Sequence, residues 1–384
     1  MDTTQPAFEP EPAQAPTGAS PLPSPCPACT AVLDSWEDWT EEHEAPVAEV
    51  CSLESAGSVA VLAEPVSVPA DVDNNAERAT SSADASTSDG VPSGVPLDAA
   101  AKQYIADHGL AVLEFSRDKC LGKGAFGRAY LVQVPLPDGS RIPAVLKRMR
   151  ATTSPAMVAA EVEALSRLRG CAGCVQLLAH GEHNFRQALL LEYCPGGTLA
   201  DRLDKAAWRA GYPFTSQLIL PVPALRELAA QLFTALANVH AAGLVHQDIK
   251  PANLLYAESG ELRIADFGTA AARLDNGLYD TTGAGSLLYM APEVITSRKL
   301  KPTHPITDKA DVYSAGATLL DAAWLYHDCT RHWGFTHGPS TTTIAPFMPE
   351  SLLHFLRTLL HEDPQKRPSA RDALESDWMC GCNE

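Results

Sequence analysis

The chain reads His246-Gln247-Asp248-Ile249-Lys250-Pro251-Ala252-Asn253 and, shortly afterwards, Ile264-Ala265-Asp266-Phe267-Gly268. A hard cation such as Mg²⁺ prefers oxygen ligands, which Asn253 and Asp266 can supply. Asp248 then remains free to accept a proton from an attacking hydroxyl, and Lys250 can neutralise a group in transfer. A set of solvated loop charges is the simpler alternative. It does not account for this spacing together with the residues that lie upstream.

A glycine-rich segment lies upstream, at Gly122-Lys123-Gly124-Ala125-Phe126-Gly127. Glycine lets the backbone approach phosphate oxygens closely, because no Cβ intervenes. In a dinucleotide-binding fold such a segment opens a helix, and an acidic residue about 20 positions further on holds a ribose. Here the chain continues as a strand from Arg128, and Lys147 stands at that distance. The context therefore favours a flap between two strands.

Lys147 ends a short apolar run that begins at Ala144. A lysine there is commonly an edge residue with its ammonium in water. It could instead reach the α- and β-phosphates of a nucleotide, and a buried ammonium then needs an anion to hold it. Glu161, on the next helical segment, is the candidate. Either residue taken alone indicates no more than a surface charge.

Hydrophobic periodicity predicts a strand-rich part followed by a helix-rich part. Residues 112–150 indicate strands, with a turn at 137–140, and residues 175–193 indicate further short strands. Between them, the pattern over 155–169 predicts a helix with Met157, Val158, Val162, Leu165 and Leu168 on one face. From Leu225 onward the periodicity is helical.

In combination, these motifs resemble those of the eukaryotic-type protein kinases over residues 114–380. The resemblance implies a two-lobed α+β protein kinase fold. A small lobe, 114–191, holds an antiparallel β-sheet with one main helix, and a larger helical lobe spans 195–380. It also implies ATP and Mg²⁺ as cofactors, with Asn253 and Asp266 as the metal ligands. Asp248 and Lys250 are the implied catalytic residues.

The same resemblance implies a nucleotide site formed by the flap, the sheet and the connection between the lobes. Its cofactor-binding residues are Leu121, Gly122, Lys123, Gly124, Ala125, Phe126, Gly127, Ala129, Val145, Lys147, Glu161, Glu192, Cys194 and Leu255. Main-chain groups of Glu192 and Cys194 would bond adenine. Ala129 and Val145 would form the ceiling over the base, and Leu255 the floor. The family pattern has valine and alanine at the two ceiling positions, an exchange that nearly conserves volume.

Other motifs follow the family pattern in order. Glu293, in Met290-Ala291-Pro292-Glu293, ends the activation segment and is implied to pair with Arg367. Asp311 is implied to steady the catalytic loop. Lys250, two residues after the catalytic aspartate, is typical of serine/threonine families, and Ser286 takes the place of their usual threonine.

Two further features depart from the family pattern. Gln247 replaces an arginine that commonly needs a phosphate on the activation segment to neutralise it, so we expect activity without phosphorylation of Thr281 or Thr282. Residues 327–350 are short for a region that docks substrates and regulators in the family. This reduction bears on substrate recognition and not on phosphoryl transfer.

The formal net charge of −18 lies almost entirely in residues 1–100, which hold 18 acidic residues against Arg78 alone. We expect this Pro-, Ala- and Ser-rich tail to be disordered. Trp36 and Trp39 could dock in a partner's groove, or they are an accidental cluster in a solvated tail. The near-neutral remainder offers no basic field for nucleic acid. No secretory signal and no apolar run of membrane-spanning length is present, which predicts an intracellular protein of the cytoplasm or nucleus.

The sequence therefore predicts a kinase that transfers the γ-phosphoryl of ATP to serine or threonine hydroxyls of protein substrates. One alternative is a pseudokinase scaffold that binds nucleotide and partners without catalysis. Such proteins normally lack one of four residues that are all present here, namely Lys147, Asp248, Asn253 and Asp266. A kinase for small molecules is a third reading, and that class lacks the pairing of Glu293 with Arg367.

Overall fold

The structure is a computed structural model, and it describes residues 98–113, 119–210, 218–280, 285–299, 306–324 and 348–381. Residues 1–97, which include almost all of the predicted disordered tail and both of its tryptophans, lie outside the described residues. So do Thr281 and Thr282, and so do residues 325–347.

A five-stranded antiparallel sheet forms the small lobe, with the spatial order β1-β2-β3-β5-β4. Its strands are β1 (Lys119–Lys123), β2 (Gly127–Pro135), β3 (Arg141–Met149), β4 (Leu177–His183) and β5 (Arg186–Glu192). The predicted turn joins β2 to β3, and there the Asp138 carboxylate accepts a hydrogen bond from the Ser140 N–H at 2.9 Å. This local bond holds the two longest strands in register.

One helix of the small lobe begins after Ser154, whose hydroxyl accepts from the Met157 N–H. The helix α2 (Pro155–Arg167) has proline at its first turn, where a missing N–H costs nothing. The sequence predicted this helix, but its buried face differs. Met157 is 39% exposed, whereas Glu161 is buried. A carboxylate is therefore turned towards the sheet, where only a cation can balance it.

A second helix, α1 (Ala99–His108), covers the opposite face of the sheet and continues as a 3₁₀ turn, Gly109–Val112. The sequence indicated strands from residue 112, yet Val112 ends this turn; residues 114–118 lie outside the described residues, and β1 begins at Lys119. Ile105 is fully buried in this layer. Its cluster includes Ile142, Ala144 and Leu146 of β3. Helix α1 therefore covers the face of β3 that carries these three residues, whereas Pro143 and Val145, on the other face, are partly exposed.

Ile105→Ala is expected to lower the free energy of unfolding by about 2–4 kcal/mol, because it leaves a cavity over the sheet. Chemical denaturation followed by tryptophan fluorescence measures the change. Ala106→Ser, at the exposed neighbouring position of α1, is the matched control and should change stability by under about 0.5 kcal/mol. Equal stability of Ile105→Ala and wild type would show that α1 is not part of the folded domain.

The large lobe is built from helices and short strand pairs. Its helices are α3 (Leu199–Ala210), α4 (Val222–Ala241), α5 (Pro292–Lys299), α6 (Lys309–Trp324), α7 (Glu350–Leu359), α8 (Ala370–Leu374) and α9 (Asp377–Cys380). Helix α6 is buried on all sides from Ala310 to Ala323. A Cβ at Gly316 would lie 2.7 Å from the Leu359 Cβ, so glycine lets α6 and α7 approach closely. This central helix anchors the loops described below.

The short strands lie at the edge of the large lobe that faces the sheet. They pair as β6 (Leu244–Val245) with β9 (Ala271–Ala272), and as β7 (Leu254–Tyr256) with β8 (Leu262–Ile264). A strand-rich small lobe followed by a helix-rich large lobe is the two-lobed α+β architecture that the sequence predicted. None of the described helices is long and apolar enough to cross a membrane.

Candidate active site

The loop after β6 is fixed from below by Asp311 at the start of α6. Its carboxylate accepts hydrogen bonds from the main-chain N–H groups of His246 and Gln247, at 2.8 and 2.9 Å. The His240 ring lies 3.0 Å from the same carboxylate. Burial acts to raise the pKa of Asp311, but the two histidines and these hydrogen bonds outweigh it and hold the pKa below its ordinary value. The buried carboxylate therefore stays charged and holds the loop in one conformation.

The lowered pKa of Asp311 has a consequence for acid stability. A carboxylate with a depressed pKa in the folded state stabilises the fold fully above its ordinary pKa, and this contribution is lost as the pH falls through the folded pKa. Asp311→Asn is expected to cost about 2–4 kcal/mol at pH 7. The deficit relative to wild type should shrink below pH 4, because a protonated Asp311 resembles asparagine. Urea unfolding at pH 7.0 and 3.5 measures it, and a deficit that does not shrink contradicts the assignment.

The predicted catalytic residues converge at this loop. Lys250 Nζ lies 2.6 Å from Asp248 Oδ2 and 2.8 Å from Ser286 Oγ. The other oxygen, Asp248 Oδ1, accepts the Ser286 N–H at 2.9 Å. The Asn253 amide nitrogen donates to Asp248 O and Oδ2, at 2.8 and 3.0 Å. Asp248 is thus held by three neighbours, and its carboxylate can take a proton at a defined position.

A second cluster joins the two lobes. Lys147 Nζ of β3 lies 2.5 Å from Glu161 Oε1 of α2 and 2.6 Å from Asp266 Oδ1. Burial acts to lower the pKa of Lys147, but the two carboxylates outweigh it and raise the pKa above its usual value. Burial raises the pKa of Glu161, whereas Lys147 holds the pKa of Asp266 below its usual value despite burial. The ammonium is therefore charged, and it ties β3 and α2 to the large lobe.

Asp266 and Asn253 have oxygens that fit a hard cation. Asp266 is 38% exposed and uses Oδ1 for Lys147, which leaves its second oxygen at the cleft. Asn253 commits its amide nitrogen to Asp248, so its amide oxygen is the acceptor that remains. A Mg²⁺ ion usually binds one or two such protein oxygens and completes its shell with waters and phosphates. The described residues hold no larger group of potential metal ligands.

The predicted ceiling residues lie on the sheet face that carries Lys147. Ala129 pairs with Lys147 across β2 and β3, and Val145 lies two residues before Lys147 on the same face. Leu255 of β7 is partly exposed on the opposite side of the cleft. Leu121, on β1, is 43% exposed. All four side chains are exposed or partly exposed, so they are available to contact a bound ring.

The connection between the lobes begins at Glu192, the last residue of β5. Its carboxylate accepts the Gln176 N–H and faces Arg263, and its own N–H donates to the Gln176 carbonyl at 2.9 Å, so its main-chain carbonyl is the group left for a base. Burial raises the pKa of the Cys194 thiol to about 12, which keeps it neutral. Both residues therefore offer main-chain groups and not reactive side chains.

The glycine-rich segment forms the predicted flap between β1 and β2. The Gly124 N–H donates to the Gly127 carbonyl at 2.9 Å and closes a tight turn. A Cβ on Gly127 would lie 2.4 Å from the Arg148 carbonyl, so only glycine fits there. At the tip, the Phe126 ring lies against Gly268, where an added Cβ would be 2.9 Å from the ring. Lys123 and Ala125 are exposed in this arrangement.

A comparison with protein families adds to this geometry. Residues 115–379 match the model of the protein kinase domain. The chain belongs to the protein kinase family.

Curated relatives of this kinase domain agree with the match. It is 39% identical to rice CBL-interacting protein kinase 22 over 166 residues, which cover 42% of this chain and 34% of the relative. It is 27% identical to serine/threonine-protein kinase 10-A of Xenopus laevis over 228 residues, covering 53% and 22% of the two chains. Mouse serine/threonine-protein kinase Nek5 is 26% identical over 268 residues, covering 68% and 40%. The matched regions span well under half of each relative.

Several residues of the kinase domain that support the site were not found from the sequence. The His246 ring lies 3.0 Å from the Ala265 carbonyl and packs edge-on against Phe267. His240, on α4, reaches Asp311 from a distant part of the chain. Gln247 and Asp266 both have a backbone φ near +65°, a conformation that residues other than glycine rarely adopt. Nothing in a single sequence marks such conformations.

Gln247 connects the catalytic loop to the activation segment. Its amide nitrogen donates to the Asp280 carbonyl at 2.7 Å. The amide oxygen is buried and has no hydrogen-bond partner among the described residues. A neutral side chain therefore makes the contact at the position where the family usually has a cation.

Proposed function

We propose that this kinase domain is catalytically active and transfers the γ-phosphoryl of ATP to serine or threonine hydroxyls of protein substrates. The main support is the arrangement of Lys147, Glu161 and Asp266 in one ion-paired cluster beside the Asp248–Lys250–Asn253 group. A nucleotide-binding scaffold has no need for a held proton acceptor next to a metal-ligand pair.

In the proposed reaction, Asp248 orients the substrate hydroxyl and accepts its proton as the phosphoryl group leaves ATP. Lys250 lies between Asp248 and Ser286, where it can offset charge on the transferring group. Asn253 and Asp266 would hold Mg²⁺, which supplies positive charge to the phosphate oxygens when bound. Lys147 would contribute a second positive charge, and the flap would exclude water from the cleft.

The proposed acceptance of serine and threonine is supported by Lys250 and its contact with Ser286. Two of the relatives named above, those of Xenopus laevis and mouse, are serine/threonine-protein kinases by name. We further propose that the domain acts inside the cell, where ATP is present. The acidic tail with its two tryptophans is proposed to bind a protein partner.

A labelling assay tests the proposed activity. The full chain is incubated with γ-labelled ATP, Mg²⁺ and a generic protein substrate, and the labelled amino acids are identified after hydrolysis. We expect phosphoserine and phosphothreonine, and a large loss of label with Lys147→Met or with a chelator. Binding of a fluorescent ATP analogue without any transfer of label would favour the pseudokinase scaffold. Label on small molecules alone would favour the third class.

Gln247 leads to a prediction about activation. Because a neutral amide already bonds the Asp280 carbonyl, no phosphate is needed to balance a cation at this position. The double substitution Thr281→Ala and Thr282→Ala is therefore expected to keep kcat/KM within about threefold of wild type. Phosphatase-treated wild type serves as the control, and its kcat/KM should also stay within about threefold of untreated wild type. Loss of turnover in a variant that still unfolds at the wild-type temperature would contradict this prediction.

A further inference from the structure

The flap is tied to the segment that joins β3 to α2. Three hydrogen bonds connect the two, and all of them end on main-chain carbonyls of the flap. Arg150 Nη2 donates to Gly124 O at 2.9 Å, and the Arg150 N–H donates to Phe126 O at 2.9 Å. Thr153 Oγ1 donates to the same Phe126 O at 3.0 Å. The flap tip is therefore held from outside the nucleotide site.

The two side-chain bonds differ from those that the sheet requires. The Arg150 N–H bond to Phe126 continues the ladder between β2 and β3 and would form with almost any residue. The guanidinium of Arg150 and the hydroxyl of Thr153 add bonds that depend on these residue types. Substitution of Arg150 or Thr153 can therefore remove a side-chain hydrogen bond and leave the hydrogen bonds of the sheet in place.

The same short segment leads directly into α2. Ser154 caps this helix, and Glu161 lies two turns further on, where it binds Lys147. On the other side of the flap, Phe126 lies against Gly268, next to Asp266. The flap, the lysine–glutamate pair and the metal-ligand segment thus meet around one connection of five residues, 150–154.

We propose that Arg150 and Thr153 are positioning residues that hold the flap closed over the nucleotide and couple its position to α2. This inference rests on the proposed function, because a closed flap matters for a bound nucleoside triphosphate. Neither residue touches the reacting atoms. Their effect comes through the main-chain carbonyls of Gly124 and Phe126, which they hold in place at the tip of the flap.

The prediction is a change in nucleotide retention and not in chemistry. Thr153→Val keeps the shape of the side chain and removes its donor, and Arg150→Gln removes the guanidinium. Each is expected to raise the dissociation rate of a fluorescent ATP analogue and the KM for ATP by about fivefold, the size expected for one lost hydrogen bond. The value of kcat should stay the same or rise, because product leaves faster from an open flap. The KM for the protein substrate should not change.

Matched controls are available beside each residue. Thr152→Val makes the same change at an exposed neighbour of Thr153. Arg128→Gln removes a nearby charge from the flap's own strand, on the face opposite Ala129 and the nucleotide. Thr153→Ser keeps the hydroxyl and should restore the wild-type dissociation rate. Hydrogen exchange of the flap amides should rise in Thr153→Val and stay at the wild-type rate in Thr152→Val.

The outcomes separate this inference from the proposed function. If the chain transfers no phosphoryl group, the proposed function fails. The dissociation rate of the nucleotide then still tests whether Arg150 and Thr153 hold the flap closed. Dissociation rates within twofold of wild type for both Thr153→Val and Arg150→Gln would overturn the inference. An equal increase in Thr152→Val would also overturn it, as would a lower melting temperature with no change in nucleotide retention.

Discussion

Asp248→Asn is expected to lower kcat by about 10³-fold, because it removes the proton acceptor and disturbs its neighbours. One oxygen of Asp248 accepts the Ser286 N–H, and the other accepts the Lys250 ammonium and the Asn253 amide. An amide has only one acceptor oxygen. Whichever way the new side chain turns, its NH₂ group faces a donor, so the loop loses a hydrogen bond as well as its base.

Nucleotide affinity should separate this effect from a loss of folding. Asp248 lies on the side of the site where the substrate hydroxyl is proposed to bind, so the dissociation constant for ATP is expected to stay within about threefold of wild type. Initial rates with saturating ATP and calorimetric binding measure the two quantities. Asp275→Asn, at an exposed position near the activation segment, is the control and should leave both unchanged. A turnover within tenfold of wild type would remove Asp248 from the proposed mechanism.

The catalytic groups were accessible from the sequence because their spacing is local. Asp248, Lys250 and Asn253 occupy one loop, and their hydrogen bonds connect residues within five positions of one another. Asp266 and Lys147 were singled out from separate motifs far apart in the chain, and the structure brings their side chains to within 2.6 Å of each other. Contacts within one loop can be inferred from the spacing of its residues in the sequence. Contacts between distant residues can be inferred only when each residue belongs to a recognisable motif.

The features that were missed depend on contacts between distant residues. Helix α1 shows little amphipathic pattern, because Ala101 and Ile105 are its buried residues and neither marks a helix by itself. Its place follows from the sheet, because Ile142, Ala144 and Leu146 form an apolar face of β3 that α1 covers. The bonds from Arg150 and Thr153 end on main-chain carbonyls, which every residue possesses. No sequence pattern can indicate which carbonyl is bonded.

Arg367→Met is expected to lower the free energy of unfolding by about 3–5 kcal/mol, because it leaves a buried carboxylate without its cation. The Arg367 and Glu293 side chains are fully buried and form two parallel bonds, at 2.7 and 2.8 Å. The same guanidinium donates to three main-chain carbonyls, those of Lys309, His361 and Glu362. One side chain thus connects the end of the activation segment to α6 and to the loop before α8.

Because of these additional bonds, the two residues of the ion pair should contribute unequally to stability. Comparing the stability losses of the two single variants tests this directly. In Glu293→Met the guanidinium keeps its three carbonyl partners, so the loss of stability should be smaller than in Arg367→Met. In the double variant the buried charge is gone, but the three carbonyls remain without a donor, so stability should recover only in part. Urea unfolding of the four proteins gives the coupling energy. Arg167→Met, which breaks an exposed pair with Glu163 in α2, is the control and should cost under about 1 kcal/mol. If Glu293→Met proved as damaging as Arg367→Met, the carbonyl contacts would contribute nothing and the ion pair alone would hold the segment.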